Sequence, residues 1–92
     1  MDSIIQEEKE CFACGTTQYL QLHHCLHGTA NRKLADRFGL VVWLCRDCHL
    51  GRNGVHFNKG FDDYLKRLAQ EHWEAKFGTR EGFRAIFGKS YL

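Results

Sequence analysis

The sequence predicts a small α+β domain, and three features of the chain lead to this prediction. Two C-x-x-C pairs enclose the middle of the chain, two short apolar segments between them have the composition of strands, and a helical repeat of apolar residues fills the C-terminal third. At 92 residues the chain is expected to form one domain, with a polar lead-in that frays at 1–10, a core at 11–58 and a helical extension at 59–92. A domain of this size has little core and often depends on a bound metal.

Two segments between the cysteine pairs are predicted to be strands. In residues 19–24, Leu20 and Leu22 alternate with polar neighbours, which is the two-residue period of a half-buried strand. Residues 40–44 are apolar and include two adjacent valines. The polar stretch between them, 27–38, is expected to be a loop or a short helix. Strands joined in this way can pair antiparallel.

A long helix is predicted at 60–77, because apolar and aromatic residues recur there at spacings of three and four. The repeating positions are Phe61, Tyr64, Leu65, Leu68 and His72. This stripe is expected to pack in the core rather than to stack on nucleic-acid bases. Gly78 stands where a left-handed glycine commonly ends a helix.

A second, shorter helix is predicted at 80–87. Thr79 precedes it as a candidate N-cap, and Gly88 follows it as a terminator. The side chains expected on its buried face are Phe83, Ile86 and Phe87.

Four cysteines, Cys11, Cys14, Cys45 and Cys48, are predicted to bind one structural zinc ion. The two-residue gap in each pair lets both sulfurs face one ion, and zinc in closed sites prefers four ligands with sulfur among them. Paired C-x-x-C motifs without a secretion signal indicate metal binding in a reducing cytoplasm rather than disulfides. The alternative is four free thiols in the core. The fifth cysteine, Cys25, is expected to be a small buried side chain.

Histidines cluster in the same part of the chain. His23 and His24 are adjacent and lie between the cysteine pairs, and His49 directly follows the second pair. Because a zinc ion would hold these segments together, the three histidines are expected to lie near one another. Neighbouring imidazoles can divide two tasks, one binding a metal and one accepting a proton. The alternative is a surface histidine pair without a catalytic role, and His27 and His72 are expected to be structural.

With these motifs the chain resembles small HNH endonucleases of the His-Me finger (ββα-metal) class, and it is most similar to the compact ones of phages and prophages. The resemblance covers residues 11–58 through the cysteine pairs and the three histidines, and residues 61–92 resemble the C-terminal tails of those proteins. It implies a ββα-metal core with two zinc knuckles and two C-terminal helices.

The resemblance also implies a role for each histidine. His24 would be the general base, and His23 and His49 would bind a catalytic divalent ion, which would be Mg²⁺, Mn²⁺ or another metal. His56, further along the chain, would supply one more ligand.

The position of His56 follows from its neighbours. Gly51 and Gly54 are expected to let the chain turn back after the second cysteine pair, so that the segment around them is loop-like. If the chain is extended there, His56 points away from both Val55 and Phe57 and toward the other histidines. The alternative is a histidine that packs at the start of the long helix.

One residue of the family pattern is missing. The middle asparagine of the family usually stands at the start of the second strand, where this chain has Leu40. Asn31 is a candidate replacement in the loop between the strands, although its spacing differs. Asn53 and Asn58 are further candidates for the metal site.

The basic residues indicate which kinds of partner the chain could bind. A net charge of +2 permits a nucleic-acid partner without requiring one. Arg32, Lys33 and Arg37 lie in the connection between the strands, and they are either solvated charges or contacts to DNA phosphates. No apolar run approaches membrane-spanning length, so no membrane partner is expected.

The function implied by the resemblance is metal-dependent hydrolysis of DNA phosphodiester bonds, by nicking or by double-strand cleavage, in the cytoplasm of a bacterial host. Phage packaging proteins are candidate partners. The alternative is a non-catalytic zinc-ribbon module that binds nucleic acid or a phage assembly protein.

Overall fold

Two antiparallel strands form the sheet of this fold. The structure is a computed structural model, and it describes residues 3–52 and 54–92. Within this part, strand β1 (Leu20–His24) pairs antiparallel with strand β2 (Val41–Cys45). The predicted strand pair is therefore confirmed, and β2 begins one residue later than the sequence pattern indicates.

Four α-helices accompany the strands in the described residues. Helix α1 (Thr29–Phe38) connects the two strands, α2 (Arg46–Leu50) directly follows β2, and α3 (Lys59–Lys76) and α4 (Arg80–Phe87) form the C-terminal part. A turn of 3₁₀ helix at Val55–Phe57 precedes α3. The combination of elements confirms the predicted α+β class.

Side-chain oxygens begin the two C-terminal helices. The Asn58 side chain accepts a hydrogen bond from the Phe61 N–H at 3.0 Å, and the Thr79 hydroxyl accepts one from the Gly82 N–H at 3.1 Å. Gly88 ends α4 with a φ of 93°, a left-handed conformation that glycine adopts without strain. The predicted roles of Thr79 and Gly88 are confirmed.

The predicted left-handed end of α3 at Gly78 is wrong. The residue that caps the helix, Phe77, keeps right-handed backbone angles, and Gly78 does not have a positive φ. A Cβ atom at Gly78 would lie 3.1 Å from the Trp73 ring. The glycine therefore makes room for a close passage of the backbone over an aromatic ring.

The buried face of α3 is rotated relative to the predicted stripe. The buried residues are Leu65, Ala69, Gln70 and Trp73. Tyr64, which belongs to the predicted stripe, is 47% exposed. The reason is the position of α4, since the Trp73 ring lies 5.6 Å from the Phe83 ring, centroid to centroid.

On α4 the predicted buried face is only partly correct. Phe83 and Phe87 are buried, and their rings stack with centroids 4.3 Å apart. Ile86 is 42% exposed. The two stacked rings occupy the contact with the core, so the third apolar side chain of this short helix remains at the surface.

Residues 3–10 lie along the edge of β2 that does not face β1. The Ser3 hydroxyl donates to the Val41 carbonyl, and the Trp43 N–H donates to the Gln6 side-chain oxygen at 2.8 Å. These hydrogen bonds cover backbone groups of a strand edge. The expectation of a frayed lead-in is therefore wrong for this segment.

The core lies between the sheet and the two C-terminal helices. Its buried side chains from the sheet region include Leu26, Leu40, Val42 and Leu44, and α3 and α4 contribute Leu65, Trp73, Phe83 and Phe87. None of the helices in the described part of the chain has the length and apolar character to span a membrane.

Candidate metal centre and histidine pocket

The four cysteines of the two C-x-x-C pairs come together in the structure. Their sulfurs all lie within 4.8 Å of one another, and the sulfurs of Cys14 and Cys45 are 3.8 Å apart. Tetrahedral zinc with Zn–S bonds of about 2.3 Å places its sulfurs about 3.8 Å apart. All five cysteines of the chain are free thiols. The cluster therefore has the donor atoms and the spacing of a zinc site.

The local backbone places each cysteine pair. In the first pair, Gly15 has a φ of 81° and donates its N–H to the Cys11 carbonyl at 2.8 Å, which closes the turn. In the second pair, Cys45 ends β2 and Cys48 lies in α2. A metal held by all four sulfurs would tie the N-terminal turn to the junction of sheet and helix.

The cysteine thiols of the cluster differ from one another in their pKa. Burial alone would raise the pKa of the Cys11 thiol, but hydrogen bonds from the backbone of Cys45, Cys14 and Ala13 lower it to about 6. Burial and the neighbouring thiols raise the pKa of Cys48. Zinc binds the thiolate form, so metal binding would release protons from the more weakly acidic thiols.

Cys25 stands apart from this cluster. It is fully buried among apolar side chains, as predicted, and burial raises the pKa of its thiol to about 12. A thiol that stays protonated in an apolar site is a packing residue rather than a ligand or nucleophile.

Three histidines converge at a pocket beside β1. The ring centroid of His23 lies 5.3 Å from that of His49 and 5.6 Å from that of His56. One ring nitrogen of each histidine lies within 4.8 Å of the others. The pocket has a volume of about 350 Å³ and is lined by Leu22, His23, His24, His27, Arg32, His49 and His56. The convergence expected from the sequence is present, and the binding of a metal by these rings stays a prediction.

His23 forms the buried base of the pocket. The residue is 2% exposed, and its Nε2 atom has no hydrogen-bond partner among the described residues. Burial, with smaller contributions from His49 and His27, lowers the pKa of His23 to about 3, so the ring is neutral at pH 7. A buried polar atom without a partner costs about 1–3 kcal/mol. A metal ion bound at this nitrogen would remove that cost.

Gln21 orients the second histidine. The Nδ1 atom of His49 lies 2.6 Å from the Gln21 side-chain oxygen. Because an amide oxygen only accepts, Nδ1 carries the proton and Nε2 keeps its electron pair, which faces the Nε2 atom of His56 at 2.9 Å. Burial and the nearby His56 lower the pKa of His49, which favours this neutral form. Gln21 was not predicted, although its spacing from His23 on β1 places both side chains on one face of the strand.

Two glycines return the chain to the pocket after α2. A Cβ atom at Gly51 would collide with the Asp47 carbonyl, and one at Gly54 would lie 2.9 Å from the His49 carbonyl. Only a residue without a side chain lets the backbone pass so close to α2. The predicted return of the chain at these glycines is confirmed, and it carries His56 to His49.

The local conformation at His56 differs from the prediction. Residues 55–57 form a 3₁₀ turn instead of an extended segment. Val55 is buried, whereas Phe57 is 71% exposed. Since a 3₁₀ helix has three residues per turn, the three side chains point in three directions. His56 therefore points into the pocket because of the 3₁₀ turn, and not because side chains alternate along an extended segment.

His24 lines the same pocket and is held by Asp36. Its Nε2 atom lies 2.6 Å from the Asp36 carboxylate on α1. An ionised carboxylate only accepts hydrogen bonds, so Nε2 carries the proton and Nδ1 keeps its electron pair. Asp36 was not predicted as a site residue, because no local spacing relates it to His24.

The three basic residues predicted to contact phosphates all lie exposed on α1. Arg32 lines the pocket, whereas Lys33 and Arg37 lie elsewhere on the helix. None of them takes part in an ion pair within residues 3–52 and 54–92. Their charges are therefore available to an external anion.

The candidate asparagines lie away from the pocket or outside the described residues. Leu40, which stands where the resemblance would place an asparagine, is fully buried, and Asn58 caps α3. Asn31 lies on α1 and does not line the pocket. Asn53 lies outside the described residues. The pocket lining in the described part of the chain therefore contains no asparagine.

His27 was expected to be structural at the surface, and the structure places it in the pocket. Its ring lies 5.5 Å from that of His23, and its Nε2 atom lies 2.7 Å from the Asp62 carboxylate on α3. No local pattern indicates this pair, since its members belong to distant segments. His72, the other histidine expected to be structural, does not line the pocket.

No protein-family model, no curated protein and no solved structure matches this chain. The pocket combines converging imidazoles around one buried nitrogen, an imidazole oriented by a carboxylate, and an exposed guanidinium. Such a set can hold a divalent ion, accept a proton and bind an anion.

Proposed function

We propose that this protein is a metal-dependent HNH-type endonuclease that hydrolyses DNA phosphodiester bonds. The observation that carries the proposal is the convergence of His23, His49 and His56 in the pocket that also contains His24. Strands β1 and β2 with α2 would form the ββα-metal core. The four-cysteine cluster would hold a structural zinc ion that fixes this core.

The three converging histidines fit a divalent transition metal. His23 offers a buried nitrogen without a partner among the described residues. His49 offers Nε2, which stays unprotonated because Nδ1 donates to Gln21, and its electron pair faces His56. Imidazole suits zinc and nickel, and Mn²⁺ accepts it more readily than Mg²⁺, which prefers oxygen ligands. We therefore expect Mn²⁺ to support more cleavage than Mg²⁺. When bound, the ion would supply positive charge that stabilises the phosphate in the transition state.

His24 would act as the general base. Its Nδ1 atom accepts a proton from the attacking water as the water oxygen bonds to phosphorus and the 3′ oxygen leaves. Asp36 accepts the hydrogen bond from Nε2, which orients the ring and stabilises the imidazolium that forms. The same arrangement orients the base in carboxylate–histidine pairs of other hydrolases.

The substrate phosphate would be bound from α1. Arg32 lies at the pocket, and its guanidinium can donate two parallel hydrogen bonds to a phosphate group. Lys33 and Arg37, on the same helix, would contact neighbouring phosphates. Binding through phosphates implies little sequence preference and a strong dependence on salt.

Plasmid cleavage tests the proposal. Zinc-loaded protein is incubated with supercoiled plasmid and Mn²⁺ or Mg²⁺, and the appearance of open-circular or linear DNA separates nicking from double-strand cleavage. His24→Ala should lose about 10²- to 10⁴-fold in rate, the usual contribution of a general base, while it keeps its zinc. His72→Ala is the matched control, since it removes an imidazole outside the pocket.

Two outcomes would count against the proposal. A His24→Ala variant that cleaves at a near wild-type rate would remove the base assignment. A wild-type protein that binds DNA but does not cleave it, whichever divalent metal is added, would support the alternative, a non-catalytic zinc module that binds nucleic acid or a phage assembly protein.

A further inference from the structure

A second set of metal donors lies on another side of His23. One nitrogen of His23, one of His27 and a carboxylate oxygen of Asp62 all lie within 4.8 Å of one another. Val55, His27, His56 and Asp62 line a neighbouring pocket of about 250 Å³. The two pockets share His27 and His56, so the second donor set adjoins the first.

We propose that the pocket has two cation positions that share His23, the first completed by His49 and His56 and the second by His27 and Asp62. Two histidines and one carboxylate form a donor set that binds divalent transition metals and leaves coordination positions open. The second position thus differs from the first in its donor atoms, since a carboxylate oxygen takes the place of one histidine nitrogen.

The buried Nε2 atom of His23 is an independent indication of a ligand. It is without a partner in the described residues, although the residue is 2% exposed and polar atoms in such sites are normally paired. One nitrogen electron pair binds one ion at a time. Because both positions would use the ring of His23, we infer that they are alternatives and that the pocket holds one ion in either of them.

The contacts of Asp62 show what binding at the second position requires. The carboxylate accepts a hydrogen bond from His27 Nε2 at 2.7 Å, and it pairs with the Lys66 ammonium at 2.9 Å. An ion would replace the proton between His27 and Asp62. The Lys66 contact involves the other carboxylate oxygen and can remain, so that it orients Asp62 as outer contacts do in metal sites.

The two positions should prefer different metals. The first offers nitrogen atoms alone, which suits zinc and nickel, whereas the second adds an anionic oxygen, which suits manganese better. Zinc and manganese would thus compete through His23. This inference concerns metal binding and is independent of DNA cleavage, so either proposal can fail without the other.

Calorimetric titration with Mn²⁺ tests the proposal on full-length protein that carries zinc at its cysteines. Mn²⁺ does not displace zinc from thiolates, so the cysteine cluster does not contribute to the measured heat of binding. The His49→Ala/His56→Ala double variant should still bind one Mn²⁺. Adding Asp62→Asn to that variant should weaken binding by about tenfold or more, the cost of losing a metal-site carboxylate.

The matched control is Asp63→Asn in the same double variant. Asp63 is the next residue on α3 and pairs with Lys59, so its loss should leave Mn²⁺ binding unchanged. His23→Ala should abolish binding in every background. The proposal is overturned if the double variant binds no Mn²⁺, or if Asp62→Asn and Asp63→Asn have equal effects. If the double variant does not fold, the single variant of the exposed His56, His56→Ala, takes its place.

Discussion

The Nε2 atoms of His49 and His56 lie 2.9 Å apart. Gln21 holds the other nitrogen of His49, so the electron pair of His49 Nε2 faces His56. Two ring nitrogens at this separation share a proton or are joined by a cation. A short helix and a glycine turn after β2 create this contact, and the contact depends on how closely the two backbones approach.

Gly54 should therefore control metal affinity. In Gly54→Ala the new Cβ would lie 2.9 Å from the Asp47 and His49 carbonyls, which should displace the 3₁₀ turn and His56 with it. We expect Ni²⁺ binding at the first position, whose nitrogen donors suit nickel, to weaken by about tenfold, as when a metal ligand loses its support. Calorimetry on zinc-loaded protein measures this change.

Gly60→Ala is the control for that variant. A Cβ atom there meets only the Asn58 side-chain oxygen at 3.5 Å, and alanine favours a helix by about 1 kcal/mol over glycine. It should bind Ni²⁺ like wild type and melt at the same or a higher temperature. Equal binding by both variants would show that the glycine turn does not position His56.

The cysteine cluster should be needed for folding. Cys14→Ser or Cys45→Ser should lose the zinc ion and much of the cooperative structure, because a core this small depends on the metal. Cys25→Ala should keep one zinc per chain, since Cys25 lies outside the cluster. Zinc content by mass spectrometry and thermal melting decide the question. A metal-free protein that melts as high and as cooperatively as the zinc form would contradict the prediction.

Asp36 should affect cleavage without affecting metal binding. In Asp36→Asn the His24 ring keeps a hydrogen-bonding neighbour but loses the carboxylate that stabilises its protonated form. We expect plasmid cleavage to slow by roughly 10- to 100-fold, with Mn²⁺ affinity unchanged. By contrast, His23→Ala and His49→Ala should weaken metal binding at the first position itself. A loss of metal affinity in Asp36→Asn would place Asp36 in the metal site instead.

Arg32 should contribute to both DNA binding and cleavage. Arg32 lines the pocket, whereas Lys33 and Arg37 do not. Removal of Lys33 or Arg37 should therefore weaken DNA binding without a separate effect on the cleavage step. Each substitution by alanine should reduce the log–log salt slope by about one and act similarly on unrelated DNA sequences. Arg67→Ala, an exposed arginine on α3, is the control of equal charge. An effect confined to one DNA sequence would indicate base contacts.

Cys25 should be the last cysteine to react with a thiol reagent. It is fully buried, and its thiol stays protonated because burial raises its pKa to about 12. With iodoacetamide, the zinc-loaded protein should remain unlabelled, and a chelator should expose the cluster, beginning with the exposed Cys14. Cys25 should react only after zinc removal or denaturant has unfolded the core. Labelling of Cys25 in the folded zinc form, seen by peptide mass spectrometry, would contradict its place in the core.

The sequence by itself determined the features that depend on short-range spacing. The two C-x-x-C pairs, the strand alternation at Leu20 and Leu22, the cap at Thr79 and the terminator at Gly88 each follow from a few neighbouring residues. Local backbone geometry is sufficient to relate such residues to one another. The approach of the four cysteines to a common centre could also be predicted, because zinc in closed sites takes four ligands and each pair offers two sulfurs.

Only the tertiary structure decided which partners orient the histidines. Asp36 meets His24 across 12 positions, Gln21 meets His49 across 28, and Asp62 meets His27 across 35. It also decided that Trp73 and not Tyr64 faces the core, because α4 packs on that side of α3. These contacts depend on how the helices pack on the sheet, which periodicity within one segment does not specify.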